Sequence, residues 1–354
     1  MRLTAISGYG QKGPACFLLE IAGRRLLLDC GKGPDDDREP DLVGVGTVDA
    51  VLVSHSHRDH TGALYRLGDI GSPPVFATGL AARLADIRAV GDFDDAARHL
   101  GLEIATGRCG HAPGAVWMRT GGAEGLLYTG DFSLESNLYP AEPWPRARAL
   151  VADASYGAWD GTVQQALAEL TALAAAGPLL LPAPAAGRGL EMALLLWEAG
   201  HRVRLCPVHR AVAAMLIEGG AELAPGALER LASLLEQTET LYADDEPDGV
   251  MIAAKADASG GLAAQLLATW RTGEVKIVFT GHVSRGTPAA LAVAGGRASV
   301  LRWNVHPRLS DIRALLDAVE PEVVMPAFVP AEQLRALHAA LPAIPWTEGA
   351  LQLA

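Results

Sequence analysis

The run His55-Ser56-His57-Arg58-Asp59-His60 puts three imidazoles and a carboxylate into one short stretch, and His111 supplies another imidazole further on. Imidazole nitrogen and carboxylate oxygen are the donors that zinc and manganese accept. A divalent cation held by them would acidify a bound water and offset charge on the group being attacked. A histidine-rich surface turn is the plain alternative, and position argues against it. The run follows Val48-Asp49-Ala50-Val51-Leu52-Val53, an apolar, β-branched stretch that reads as a buried strand. The loop at the end of a strand is where α/β folds place their chemistry.

The elements that must hold these residues are legible in outline. Cys16 to Glu20 and Arg25 to Asp29 predict a hairpin turning at Ala22-Gly23. Strand signals recur at Pro74 to Ala77, Ala115 to Arg119 and Gly125 to Thr129, with one helix expected over Leu80 to Val90. Many strands with few helices predict a sheet sandwich covered by helices. After Ser155 the rhythm changes. Helical stretches at Val163 to Ala175, Leu190 to Ala199, Ala211 to Glu218 and Ala227 to Gln237 alternate with apolar strands at Leu179 to Leu181, Val203 to Cys206, Val250 to Ala254 and Lys276 to Phe279. That alternation predicts a parallel sheet flanked by helices. The tail then reads as strand Ser299 to Trp303, helix Ser310 to Val319, strand Glu322 to Met325 and helix Ala331 to Ala340.

Bulk properties bound the function. The most apolar region, Leu170 to Leu196, is broken by prolines, Arg188 and Glu191, so it does not predict a membrane span. The start lacks a secretory pattern, and four scattered cysteines suggest buried thiols of a reducing cytoplasm. A net charge of −12 argues against a broad basic surface that coats nucleic acid. It still allows a nuclease, because bound cations and a few arginines can make one positive cleft on an acidic body.

Together with Gly110-His111 and Tyr128-Thr129-Gly130-Asp131-Phe132, the histidine run resembles the metallo-β-lactamase motifs. The resemblance implies an αββα sandwich with two metals at one edge. His55, His57 and His111 would hold the first metal, Asp59 and His60 the second, and Asp131 would bridge them. Later segments resemble the β-CASP nucleases. They are Val151-Ala152-Asp153-Ala154-Ser155-Tyr156-Gly157, then Gly187-Arg188-Gly189-Leu190-Glu191, then Gly281-His282 to Gly286-Thr287, and finally His306 within Trp303 to Asp311. This implies an inserted α/β β-CASP domain, with boundaries expected at 1–156, 157–295 and 296–354. It also implies a phosphodiesterase that cuts RNA or single-stranded DNA, as an exonuclease, an endonuclease or both, through a metal-activated hydroxide. On the same resemblance Asp153 and His306 pair beside the leaving group, with His306 as general acid. A packed histidine capping the following helix is the alternative. Arg188 and Gly187 would meet substrate phosphate at a helix start, with Ser284, Arg285 and Thr287 in a second loop; surface ion pairs are the alternative for both arginines. Asp29 either orients a ligand imidazole or forms a turn before Gly31.

One departure stands out. The family's last metal-ligand histidine, after the strand Glu322 to Pro326, is replaced by Phe328. An aromatic ring cannot coordinate such a cation. The second metal would then keep Asp59, His60 and Asp131, with water filling the gap and manganese or zinc bound loosely; zinc is expected at the first. Glu332 is a candidate substitute. A lactone or thioester hydrolase, or a non-catalytic partner in RNA processing, are the competing readings.

Overall fold

A computed structural model of the chain describes residues 1–219, 223–270 and 275–353. It divides into two units. The first is Met1–Leu134, Ala141–Asp160 and His306–Ala354; the second is Glu135–Pro140 and Gly161–Val305.

In the first unit the strands are β1 (Arg2–Ser7), β2 (Cys16–Ile21), β3 (Arg24–Leu28), β4 (Ala50–Leu52), β5 (Val75–Phe76), β6 (Ile104–Arg108), β7 (Val116–Thr120), β8 (Leu126–Tyr128) and β9 (Ala149–Asp153). The second unit contributes β10 (Leu179–Pro182), β11 (Val203–Leu205), β12 (Glu239–Thr240), β13 (Val250–Ala253), β14 (Lys276–Phe279) and β15 (Ser299–Val300). The chain returns to the first unit with β16 (Val323–Ala327) and β17 (Ala350–Gln352).

The first unit is a sandwich of two sheets, ordered β17-β1-β2-β3-β4-β5 and β16-β9-β8-β7-β6. Its strands alternate between two buried faces, which is why they read as almost continuous apolar runs. Phe17 and Leu19 turn into the inner core with Val116, Met118, Tyr128 and Val151. Trp117, Leu127 and Leu150 turn outward under the helices Leu309–Val319 and Ala331–Ala340. Cys16, Leu18 and Leu27 face the opposite outer layer. The expected hairpin forms, with Ala22 and Gly23 both at positive φ (47° and 76°), as a two-residue turn requires.

The second unit holds one sheet in the order β12-β11-β13-β10-β14-β15, with every strand pair parallel. Helices separate its strands, so the expected αββα sandwich with an inserted, helix-flanked parallel sheet describes the molecule.

Three local expectations are corrected. The helix expected over Leu80 to Val90 runs Gly79–Ala85 and stops at Asp86, whose φ of 52° is left-handed. A further helix, Phe93–Leu100, starts on a capping box formed by Asp92 and Asp95. The strand expected to reach Trp303 ends at Val300. The unit borders also fall elsewhere, at 160/161 and 305/306 rather than 156/157 and 295/296, and residues 135–140 join the second unit. The cause is the buried carboxylate of Glu191, which accepts hydrogen bonds from Ser136 Oγ (2.9 Å) and from the indole nitrogen of Trp303 (3.0 Å). Asn304 adds a bond from its amide to Glu135 (2.6 Å). These contacts fasten both segments to the second unit.

Candidate metal centre

Three strand ends and one long-range return assemble the centre, all within the first unit. The histidine run follows β4, His111 follows β6, Asp131 follows β8, and His306 follows the excursion through the second unit. Backbone bonds fix the run. Ala15 N–H donates to the Asp59 carbonyl (2.8 Å) and Cys30 N–H to that of His60 (2.9 Å). Gly31 is obligatory there: a Cβ on it would lie 1.6 Å from the Asp59 carbonyl oxygen.

Every residue expected to hold metal is brought together. Donor atoms of His55, His57, His111 and Asp131 lie within 4.8 Å of one another, as do those of Asp59, His60 and Asp131. Asp131 divides its oxygens between the groups. Its Oδ2 faces His111 Nε2 (3.5 Å) and His55 Nε2 (3.8 Å), and its Oδ1 faces His60 Nε2 (3.3 Å). His57 Nδ1 and His111 Nε2 sit 2.9 Å apart. Two imidazole lone pairs face each other at that distance only when one carries a proton or a cation shares them. His55 Nε2 and Asp131 Oδ1 are buried and have no hydrogen-bond partner among the described residues. Buried acceptors without donors, ringed by imidazoles, fit a divalent cation.

The electrostatics agree. Burial, reinforced by the neighbouring His60, His111 and His57, holds His55 well below its usual pKa, so it presents a neutral lone pair. Burial opposes ionisation of Asp131, but His60, His306 and His111 outweigh it and keep the carboxyl well below the usual range. His60 is raised well above its usual value, because Asp131 and Asp29 overcome its burial.

Asp29, fully buried, receives His60 Nδ1 (2.7 Å), the Tyr128 hydroxyl (2.6 Å) and Ser54 Oγ (2.7 Å) on one oxygen, and Ser54 N–H (2.7 Å) on the other. Both readings of this residue have a counterpart: Asp29 takes a left-handed φ of 58° ahead of Gly31, and its carboxylate meets His60 Nδ1 as the imidazole-orienting reading requires.

Phe328 stands beside His60, with ring centroids 5.1 Å apart, and packs edge-on against Phe17. Its N–H donates to the Gly8 carbonyl (2.7 Å). Glu332 is exposed in the first turn of Ala331–Ala340 and is not among the residues gathered here, which corrects the expectation of a substitute ligand.

The pairing of Asp153 with His306 is present. His306 Nδ1 lies 2.8 Å from Asp153 Oδ2 and 3.6 Å from Asp131 Oδ2. His306 does not cap the following helix, where Asp311 bonds back to Arg308 N–H (3.0 Å). One neighbour has no sequence signal: Lys12 Nζ lies 3.2 Å from His306 Nε2, across 294 positions of chain.

The residues expected to meet substrate lie in the second unit, at the carboxyl ends of β10 and β14. Gly187, with φ of 126°, starts the helix Arg188–Glu198. Arg188 Nε donates to Thr280 Oγ1 (3.1 Å), and its guanidinium lies where a side chain on Gly281 would clash. Thr287 caps the helix Pro288–Ala294 and donates to the Ser284 carbonyl (2.7 Å), while Arg285 is exposed. His209 is fully buried between Cys206 Sγ (3.1 Å) and the Pro184 carbonyl (2.9 Å), a packed histidine.

Residues 9–181 match the model of the metallo-beta-lactamase superfamily. That span contains His55, His57, Asp59, His60, His111 and Asp131. The chain carries a metallo-β-lactamase domain. It is 30% identical over 248 residues to ribonuclease TTHA0252 of Thermus thermophilus, covering 59% of this chain and 58% of that one. It is 32% identical over 256 residues to cleavage and polyadenylation specificity factor subunit 2 of Oryza sativa, covering 57% and 35%. It is 28% identical over 249 residues to transcription termination factor FttA of Cenarchaeum symbiosum, covering 55% and 38%. The chain thus spans between about a third and three fifths of these relatives' lengths. A crystal structure of a protein of unknown function from Enterococcus faecalis superposes with a TM-score of 0.60 over 99% of both chains at 14% identity, a likeness of fold. Among the described residues, no helix is long and apolar enough to cross a membrane.

Proposed function

We propose that the protein is a divalent-metal-dependent nuclease that hydrolyses phosphodiester bonds of RNA or single-stranded DNA. The observation that carries this is the Asp153–His306 pair beside Asp131, at 2.8 and 3.6 Å. A lactone or thioester hydrolase needs the metal ligands but has no use for a second carboxylate–imidazole pair next to them.

His55, His57, His111 and Asp131 would hold one cation, with zinc favoured by the imidazoles. Asp59, His60 and Asp131 would hold another, zinc or manganese. Bound cations would supply acidified water and charge neutralisation at phosphorus. The protein's own residues do the rest. Asp153 accepts from His306 Nδ1, so that the doubly protonated ring would present its Nε2–H to the leaving 3′ oxygen. In the reaction the P–O3′ bond breaks, the oxygen of water forms the new bond to phosphorus, Nε2 gives its proton to the 3′ oxygen, and a proton of the water leaves to solvent. The product carries a 5′ phosphate. Arg188, with Gly187, Ser284, Arg285 and Thr287, would hold flanking phosphates.

Phe328 favours one competing reading, a non-catalytic partner in RNA processing. Labelled RNA and single-stranded DNA incubated with manganese or zinc decide between them. Cleavage that chelator stops and that Asp59→Ala lowers by about 100-fold or more supports the nuclease. No cleavage by the wild type, or equal cleavage by Asp59→Ala, refutes it.

A further inference from the structure

Lys12 belongs to the loop between β1 and β2, which is pinned on both sides of the centre. At one end Gly8 accepts the Phe328 N–H (2.7 Å); at the other, Ala15 donates to the Asp59 carbonyl (2.8 Å). A Cβ on Gly13 would sit 3.7 Å from that of Asp59. The half-buried Lys12 is therefore held against the metal-binding run, with its ammonium 3.2 Å from His306 Nε2.

Cations on the neighbouring loops all pair with carboxylates: Lys32 with Glu39 (3.2 Å), Arg38 with Asp36 (2.9 Å) and Arg58 with Asp37 (2.6 Å). Lys12 has no carboxylate partner among the described residues, and its hydrogen-bond partner is an imidazole nitrogen. His306 Nδ1 is already committed to Asp153. In this arrangement the ammonium covers the one atom of His306 that must face the leaving oxygen. An anionic oxygen is a much stronger acceptor for an ammonium than an imidazole nitrogen is.

We propose that Lys12 is a substrate-binding residue whose ammonium takes a non-bridging oxygen of the scissile phosphodiester, uncovering His306 Nε2 to pick up from solvent the proton it then gives to the leaving oxygen. The proposal rests on the nuclease reading. It assigns the substrate two contacts from one side of the site, Lys12 on the phosphate and His306 on the leaving oxygen. Only the second of these is dispensable when the leaving group needs no proton.

The test uses full-length, metal-loaded protein and the variants Lys12→Met, Lys12→Arg and Asp153→Asn. The first measurement is binding of a strand made uncleavable by phosphorothioate linkages, followed over a salt series. Lys12→Met should flatten the slope of log affinity against log salt by about 0.7, the value for one phosphate contact on a single strand, and Lys12→Arg should restore it. The second is cleavage of a normal strand and of bis(p-nitrophenyl) phosphate, whose leaving group departs without a proton. Lys12→Met should lower kcat/KM by about tenfold or more on both, the worth of a charge-assisted contact, whereas Asp153→Asn should lower it only on the strand. Unchanged metal content guards against misfolding. A Lys12→Met loss that vanishes on the nitrophenyl ester makes Lys12 a positioning residue for His306 and overturns the phosphate contact, as does binding with an unchanged salt slope. If the wild type cleaves neither substrate while Lys12→Met still loses strand affinity, the nuclease reading fails and the Lys12 contact stands.

Discussion

Asp29→Asn should weaken one metal position while sparing the other. The wild-type carboxylate receives three donors on Oδ2, from His60, Tyr128 and Ser54 Oγ, and Ser54 N–H on Oδ1. In the better of the two amide orientations the carbonyl oxygen keeps the three donors and the NH2 group faces Ser54 N–H. One buried bond then becomes a donor–donor contact, costing about 1–3 kcal/mol, and the other three fall from charge-assisted to neutral. Burying a neutral amide rather than a carboxylate returns part of this, so the net loss in the metal-free protein is about 2–5 kcal/mol. His60 loses the acceptor that fixes its Nδ1–H. Removing such a partner typically lowers metal affinity about 10–100-fold. His57 and His111 make no contact with Asp29. His55 meets it only through Ser54 Oγ, 3.0 Å from its Nδ1, and should respond much less. Chelator competition read by elemental analysis measures both affinities, and urea unfolding of the metal-free protein measures the stability. Equal weakening at both positions, or an unchanged unfolding midpoint, would refute the reasoning.

Phe328→His should restore a second firmly bound metal, raising the content at limiting chelator from one ion toward two. The ring already lies 5.1 Å from that of His60, and histidine tolerates the positive φ of 61° at this position better than phenylalanine does; a content still at one ion sinks the idea. His209 should make the second unit acid-sensitive. Burial pushes its pKa down to about 4 from 6.5, so its contribution is complete above pH 6.5 and is lost as pH falls through about 4. The difference of about 2.5 units corresponds to about 3 kcal/mol. Metal-free wild type should therefore lose more stability than His209→Gln between those pH values, and parallel curves would contradict this.

The candidate ligands are readable because each lies in a short motif at a strand end, where local pattern and local structure coincide. The second unit's alternation was readable for the same reason, and its helix Val163–Ala175 and strand Lys276–Phe279 begin and end where the pattern does. What failed was local signal too short or too polar to register. The helix Phe93–Leu100 has an aspartate-rich first turn, and its apolar face is only a few residues long. The unit borders escaped because they depend on Glu191, Trp303 and Asn304, whose partners lie up to 169 positions away. Lys12 escaped more completely, since nothing in Gly10-Gln11-Lys12-Gly13 marks a contact with His306.

That kind of contact bears on why an unequal centre is a workable one. On the proposed assignment the first position has three imidazoles and a share of Asp131, while the second has two carboxylates, Asp131 being shared, and one imidazole. Replacing a histidine by Phe328 removes a neutral donor from the second position, so coordination number falls while ligand charge does not. A hard cation held chiefly by carboxylate charge, with water completing its shell, loses less from this than one that depends on nitrogen donors. The apolar ring packs against His60, whose other nitrogen Asp29 already fixes, so the surviving imidazole is held from two sides. The ammonium of Lys12 would add positive potential toward the leaving-group side of the site whatever the occupancy of the second position. Activity of the wild type should therefore depend steeply on the cation held by His55, His57 and His111 and only gradually on the concentration of the second. A metal titration with two equally steep phases would contradict that ordering.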